Sequence, residues 1–215
     1  MELRLLSLNT GSARVIGHVH GQEVLSAIGK KPVTGSVFVT RLGIEGDEQA
    51  DLSVHGGPDK AVYAYPSDNW RWWSEEKNLP CGPATFGENL TLAGADEDAV
   101  AIGDRFEWGE ALLEVSRPRS PCFKLLIHTI RTDVGAIMTR SARCGWYLRV
   151  LREGRAGAGG MLKRIRSSDG ISVRDCFVAL SHPDADLELL RRAYAQEELA
   201  RSCRAELARK LRLNP

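Results

Sequence analysis

The chain has 215 residues, 43% of them hydrophobic and 27% charged, with a formal net charge of +1. That balance gives no general attraction to nucleic acid or to a membrane surface, and the length suffices for one well-buried core plus an appendage. Residues 1–8 hold too short an apolar run for a signal peptide and no stretch is long enough to span a bilayer, so a cytoplasmic location is expected.

From the N-terminus, residues 3–8 and 36–42 read as strands, the second through the period-two alternation of Ser36-Val37-Phe38-Val39-Thr40. His18 and His20 are spaced to share a strand face, but with no third ligand nearby a solvated face explains them better than a metal pair does. Between these strands and the next lies a glycine-rich segment, residues 43–62, with a Gly56-Gly57-Pro58 turn flanked by His55 and Lys60. Glycines let backbone N–H groups converge on an anion such as a phosphate, and His55 and Lys60 add positive charge; a tight turn joining two strands is the structural alternative.

A short helix is expected over residues 67–77, capped by Ser67 or Asp68, with Trp70, Trp73 and Lys77 on one face. Those tryptophans serve better to cover core than to stack a ligand. Phe86-Gly87-Glu88-Asn89-Leu90 follows, where Asn89 either donates to a ligand or braces its own loop. Residues 104–108 and 111–116 form a hairpin around Gly109-Glu110, whose second arm leads into Arg117-Pro118-Arg119-Ser120-Pro121-Cys122-Phe123-Lys124.

Two prolines predict a rigid extended loop there, and the cations Arg117, Arg119 and Lys124 favour a thiolate at Cys122, the form that binds metals or attacks electrophiles. An inert buried cysteine is the alternative. The five cysteines, Cys81, Cys122, Cys144, Cys176 and Cys203, are odd in number and contain no C-x-x-C pair, which argues against a disulfide framework, a zinc knuckle or a common iron–sulfur cluster.

A helix over residues 133–139, capped by Thr132 or Asp133, precedes residues 145–151 and 161–166, expected as a strand pair across a glycine-rich connection. Ser172 then caps a helix over residues 173–180, and two more helices follow with stripes at Leu187, Leu190 and Tyr194 and at Leu199, Cys203, Leu207 and Leu211. The arginines of this tail suit either a solvated surface or an acidic partner. The expected fold is therefore mainly β with short helices: a barrel or sandwich over residues 1–168 and a small helical extension over residues 169–215.

In combination, G-I-E-G-D-E-Q-A-D, V-H-G-G-P-D-K-A-V, F-G-E-N-L, I-G-D-R-F-E-W-G and S-R-P-R-S-P-C-F-K-L, in that order over about residues 35–166, resemble the MOSC family. This is the domain named after the C-terminal region of molybdenum-cofactor sulfurases, and within it the chain resembles the YiiM-like branch, which carries a small three-helix extension. The resemblance implies a MOSC-type β-barrel that binds the molybdenum cofactor, with Cys122 as thiolate ligand to the metal. By the same similarity His55, Gly56, Gly57, Asp59 and Lys60 line the pocket, with Asn89 beside them.

Arg117, Arg119 and Lys124 would hold the pterin phosphate or balance the metal's charge. The implied activity is reduction of N-hydroxylated compounds such as hydroxylaminopurine-type bases, with His55 as a further catalytic candidate. Alternatives are a cofactor or sulfur carrier using a Cys122 persulfide, and a non-catalytic pterin-binding module. No flavin, haem, iron–sulfur cluster or pyridoxal phosphate is expected in this chain, so a separate reductase would supply electrons. No nucleic-acid or membrane partner is expected, and the Ala-rich residues 193–208 would permit a homodimer.

Overall fold

The computed structural model describes residues 1–50, 56–183 and 185–213. In chain order the elements are β1 (Glu2–Thr10), β2 (Arg14–Val19), β3 (Gln22–Ser26), β4 (Lys31–Val33), β5 (Ser36–Thr40), β6 (Gly43–Ile44), β7 (Val62–Pro66) and α1 (Trp70–Lys77). Then come β8 (Leu90–Ala93), β9 (Arg105–Trp108), β10 (Ala111–Pro118), α2 (Phe123–Thr129), α3 (Val134–Ser141), β11 (Trp146–Arg152), β12 (Gly154–Gly157) and β13 (Met161–Arg166). The tail forms α4 (Val173–Ser181), α5 (Leu187–Tyr194) and α6 (Arg201–Lys210).

Seven strands close into a barrel in the order β13-β9-β10-β11-β7-β8-β1, with β1 pairing back onto β13 and β4 adding to the far end of β1. Closure removes the unpaired edges that an open sheet would expose. Every neighbouring pair in the ring is antiparallel except β7 and β8, which run parallel and need a crossover; α1 lies in it. Alternation on β1 turns Leu3 and Leu5 inward, and a bulge before Ser7 lets Leu8 face the core too. Outside the ring, β12, β5 and β6 make a small sheet and β2 with β3 a separate hairpin.

Several expectations need correction. Residues 145–151 and 161–166 do become strands, but not partners: β11 lies between β10 and β7, β13 between β9 and β1, and the connection itself forms β12 against β5. Neither Ser67 nor Asp68 caps α1, because a 3-10 turn at Ser67–Asn69 precedes it and Asp68 accepts from the Gly94 amide at 3.1 Å. On α1, Trp73 is fully buried and donates from Nε1 to the Tyr65 hydroxyl at 2.6 Å, whereas Lys77 lies over Trp72. Asp133 precedes α3 without capping it, since its carboxylate pairs with Arg131 at 2.7 Å.

The largest departure is α2, which begins immediately after Cys122 where an extended loop was expected. In the tail, Ser172 caps α4 as expected, its hydroxyl accepting from the Asp175 amide at 3.0 Å. Cys176 and Phe177 of α4 and Cys203 and Leu207 of α6 belong to the same buried cluster as the barrel core, and the Ala200 amide donates to Ser116 O of β10 at 2.9 Å.

Candidate functional site

At the end of β10 the ladder continues one residue further, the Arg119 amide donating to Gly145 O at 3.3 Å. Pro121 cannot join a ladder, and Cys122 is extended at φ −130°, ψ 164°, handing the chain to α2. The Cys122 side chain is half-buried and opens into a cavity enclosing about 630 Å³ of empty space, part of it continuous with solvent. Arg119, Lys124, Lys60 and Asn89 line the same cavity, as do Lys30 and the tyrosines Tyr63 and Tyr147.

Two cations here lack the partner that burial normally demands. Arg119 is 4% exposed; its guanidinium donates to Met138 Sδ at 3.3 Å and lies 5.4 Å from the Tyr63 ring, and no carboxylate pairs with it among the described residues. Burial opposes that charge, but Tyr63, Tyr147, Cys122 and Cys144 around it outweigh the penalty and raise its pKa. Lys124 is 9% exposed and forms no hydrogen bond or ion pair among the described residues. Buried charges are ordinarily paired, so two of them on one wall mark a place built for an anion.

Lys30 is different: it is paired with Asp47, and burial lowers its pKa against the pull of that carboxylate. Asp47 also accepts from the Gly11 amide at 2.9 Å and from Asn89 Nδ2 at 2.8 Å, which fixes the loop after β6 against β1. Asn89 is wholly engaged in bracing, since its Oδ1 accepts from the Tyr63 amide at 3.1 Å and its Nδ2 also donates to Asn9 O at 3.2 Å. Beneath it, Glu88 accepts from the Ala84 and Phe86 amides and the Thr91 hydroxyl, and burial raises its carboxyl above the usual range.

Tyr63 and Tyr147 face each other across β7 and β11 with ring centroids 5.3 Å apart, and burial raises both phenols. Lys60 lies in a single 3-10 turn, Pro58–Lys60, entered through Gly57 at φ +97°, a conformation that glycine tolerates best. Burial, and then Arg117, lowers the Lys60 pKa. Asp59 does not face the cavity: Arg149 holds its carboxylate at 2.7 Å and the Ser116 hydroxyl donates to its carbonyl at 2.7 Å, pinning the turn to the barrel wall.

The structure thus brings Cys122, Arg119, Lys124, Lys60 and Asn89 together. It does not bring Gly56, Gly57, Asp59 or Arg117 to the cavity lining; Arg117 instead reaches the Ser202 hydroxyl on the tail at 3.0 Å. His55 lies outside the described residues. Lys30, Tyr63 and Tyr147 were not anticipated. Nothing in the sequence separates Lys30 from its exposed neighbour Lys31, and the two tyrosines stand in strands whose alternation gives no sign of a cavity.

The donor set suits an anionic, phosphorylated organic cofactor whose metal accepts a soft ligand: one sulfur, two buried cations with no carboxylate partner among the described residues, and an aromatic wall. Among the described residues no group of three or more His, Cys, Asp or Glu side chains could hold a metal ion.

Comparison with known proteins agrees with this architecture. Residues 51–166 match the family model described as the MOSC domain. Protein YiiM of Escherichia coli (strain K12) is 38% identical over 181 residues, covering 82% of this chain and 80% of that protein. A protein of Gibberella moniliformis named a reductase is 37% identical over 153 residues, although the chain spans only 27% of its length. The crystal structure of YiiM from Geobacillus stearothermophilus superposes with a TM-score of 0.81 at 30% identity, covering 97% of this chain and 99% of that one.

Proposed function

Because the chain belongs to the MOSC domain family, we propose that it is a molybdenum-cofactor-dependent oxidoreductase that removes oxygen from N-hydroxylated compounds, hydroxylaminopurine-type bases among them. When bound, the cofactor supplies the two-electron chemistry by which N–OH becomes the amine. The chain's own residues hold and shape: Cys122 presents the sulfur, and Arg119 and Lys124 neutralise the phosphate. Tyr63 and Tyr147 wall the chamber from water, and Asn89 with Asp47 keeps the opposite wall in place. His55 and Lys60 are the groups proposed to deliver protons, and a separate reductase to deliver electrons.

One observation carries the proposal: the Cys122 sulfur shares a cavity with two buried cations that have no carboxylate partner among the described residues. The naming of the fungal relative as a reductase adds support for redox chemistry. The test is Cys122→Ala, comparing molybdenum and pterin content after anaerobic preparation, then the reduction of N-hydroxyadenine with an artificial electron donor. The variant is expected to keep its fold and melting temperature while activity falls by more than the roughly 10–100-fold that losing a mere supporting contact costs. A variant that retains both the metal and the parent rate would exclude Cys122 as a ligand.

A further inference from the structure

A second chamber adjoins the first. The β2–β3 hairpin stands outside the barrel and leans on α2, so closely that a methyl group added at Gly17 would meet Ile127 Cγ2 at 3.1 Å. Between hairpin and helix lies about 960 Å³ of space open to solvent, and its walls share Ala50 and Lys124 with the Cys122 cavity. Lys124 therefore stands in the wall common to both spaces.

The outer part has a distinct chemistry. Phe123, the residue after Cys122 and the first of α2, is 52% exposed; Val19 is 39% and Leu25 51% exposed, and all three converge on this chamber. Single exposed apolar side chains are common and mean little, but an aromatic and two aliphatic groups gathered at the entrance to a cationic cavity form a slot. Its lining is also polar, with His20, Gln22 and Glu23 contributing hydrogen-bonding groups. A flat ring stacked on Phe123, its edge bonded to these polar side chains, suits both features, whereas an aliphatic chain would leave them unmatched.

We infer that this outer chamber is the substrate subsite: it seats the heteroaromatic ring of an N-hydroxylated base on Phe123, against Val19 and Leu25, and so directs the N–OH group past Lys124 toward Cys122. The inference rests on the reductase activity proposed above and adds the residue that selects a ring-bearing substrate. Phe123 is a positioning residue, since it binds the unreactive part of the molecule.

Adenine carries the ring but no N–OH group, so its binding can be measured without turnover. In equilibrium binding to the full chain, adenine is expected to bind the parent, to bind Phe123→Ala roughly tenfold more weakly, and to recover with Phe123→Trp. In kinetics, Phe123→Ala is expected to lower the preference for N-hydroxyadenine over hydroxylamine by a similar factor, which a purely structural role would leave unchanged. Equal adenine binding by the parent and Phe123→Ala, or none by the parent, would overturn the subsite. A parent that binds adenine through Phe123 yet never reduces N-hydroxyadenine would support the subsite while sinking the reductase reading.

Discussion

Glu97 is fully buried, with both carboxylate oxygens 3.0 Å from Asn69 Nδ2 and one of them 2.8 Å from the Gly145 amide. Burial still pushes its carboxyl above the ordinary 4.5, because these donors and Arg174 at 3.9 Å only partly offset the lost hydration. A carboxyl whose folded pKa is raised gives stability that is complete below its unfolded pKa and is lost as pH climbs through the folded one. Glu97→Gln carries no such loss. Its urea midpoint is expected to fall less than the parent's as pH rises above the ordinary 4.5, and parallel curves would refute the assignment. At this scale the sequence was partly legible. That Cys122, Arg119 and Lys124 share one cavity follows from their closeness in the chain, but whether Asp59 meets a ligand or Arg149 depends on a contact 90 residues away in the chain.

Among the elements, α2 was hidden by its neighbours, since Pro118 and Pro121 dominate the segment and seven residues are too few to show a period. The tail helices were legible from Ser172, a standard cap, and from the stripe through Cys203 and Leu207, whereas Leu187, expected in the α5 stripe, is 52% exposed. Strand partners were another matter: alternation says which face is buried, not which strand lies alongside, and β7 with β8 pairs in parallel across a crossover that no turn signal announces. The end of α2 is strained. Ile130 closes the helix at φ +55°, a region costly to β-branched residues, while its side chain is 90% exposed and contributes no burial in return. Ile130→Gly is therefore expected to stabilise the fold by about 1 kcal/mol, the relief exceeding the added freedom of the unfolded chain. A lower melting temperature for this variant would contradict that account.

For the molecule as a whole, the tail packs as part of the barrel's own core: Phe177 and Leu207 join its cluster, Arg117 on β10 reaches Ser202, and the Val173 amide donates to Val100 O at 2.8 Å. Calorimetry of the full chain is expected to show one transition whose van't Hoff and calorimetric enthalpies agree; two resolved transitions would mean that barrel and tail unfold separately. The seam between β1 and β13 has a consequence for how the protein is born. Leu3 and its partner Leu162 stand 159 residues apart in the chain, so β1 is made long before β13. At roughly 5–20 residues per second, the greasy first strand waits on the order of ten to thirty seconds for the segment that shields it. Nascent chains of this protein should lean on holdase chaperones until β13 has been made, whatever the stability of the finished fold.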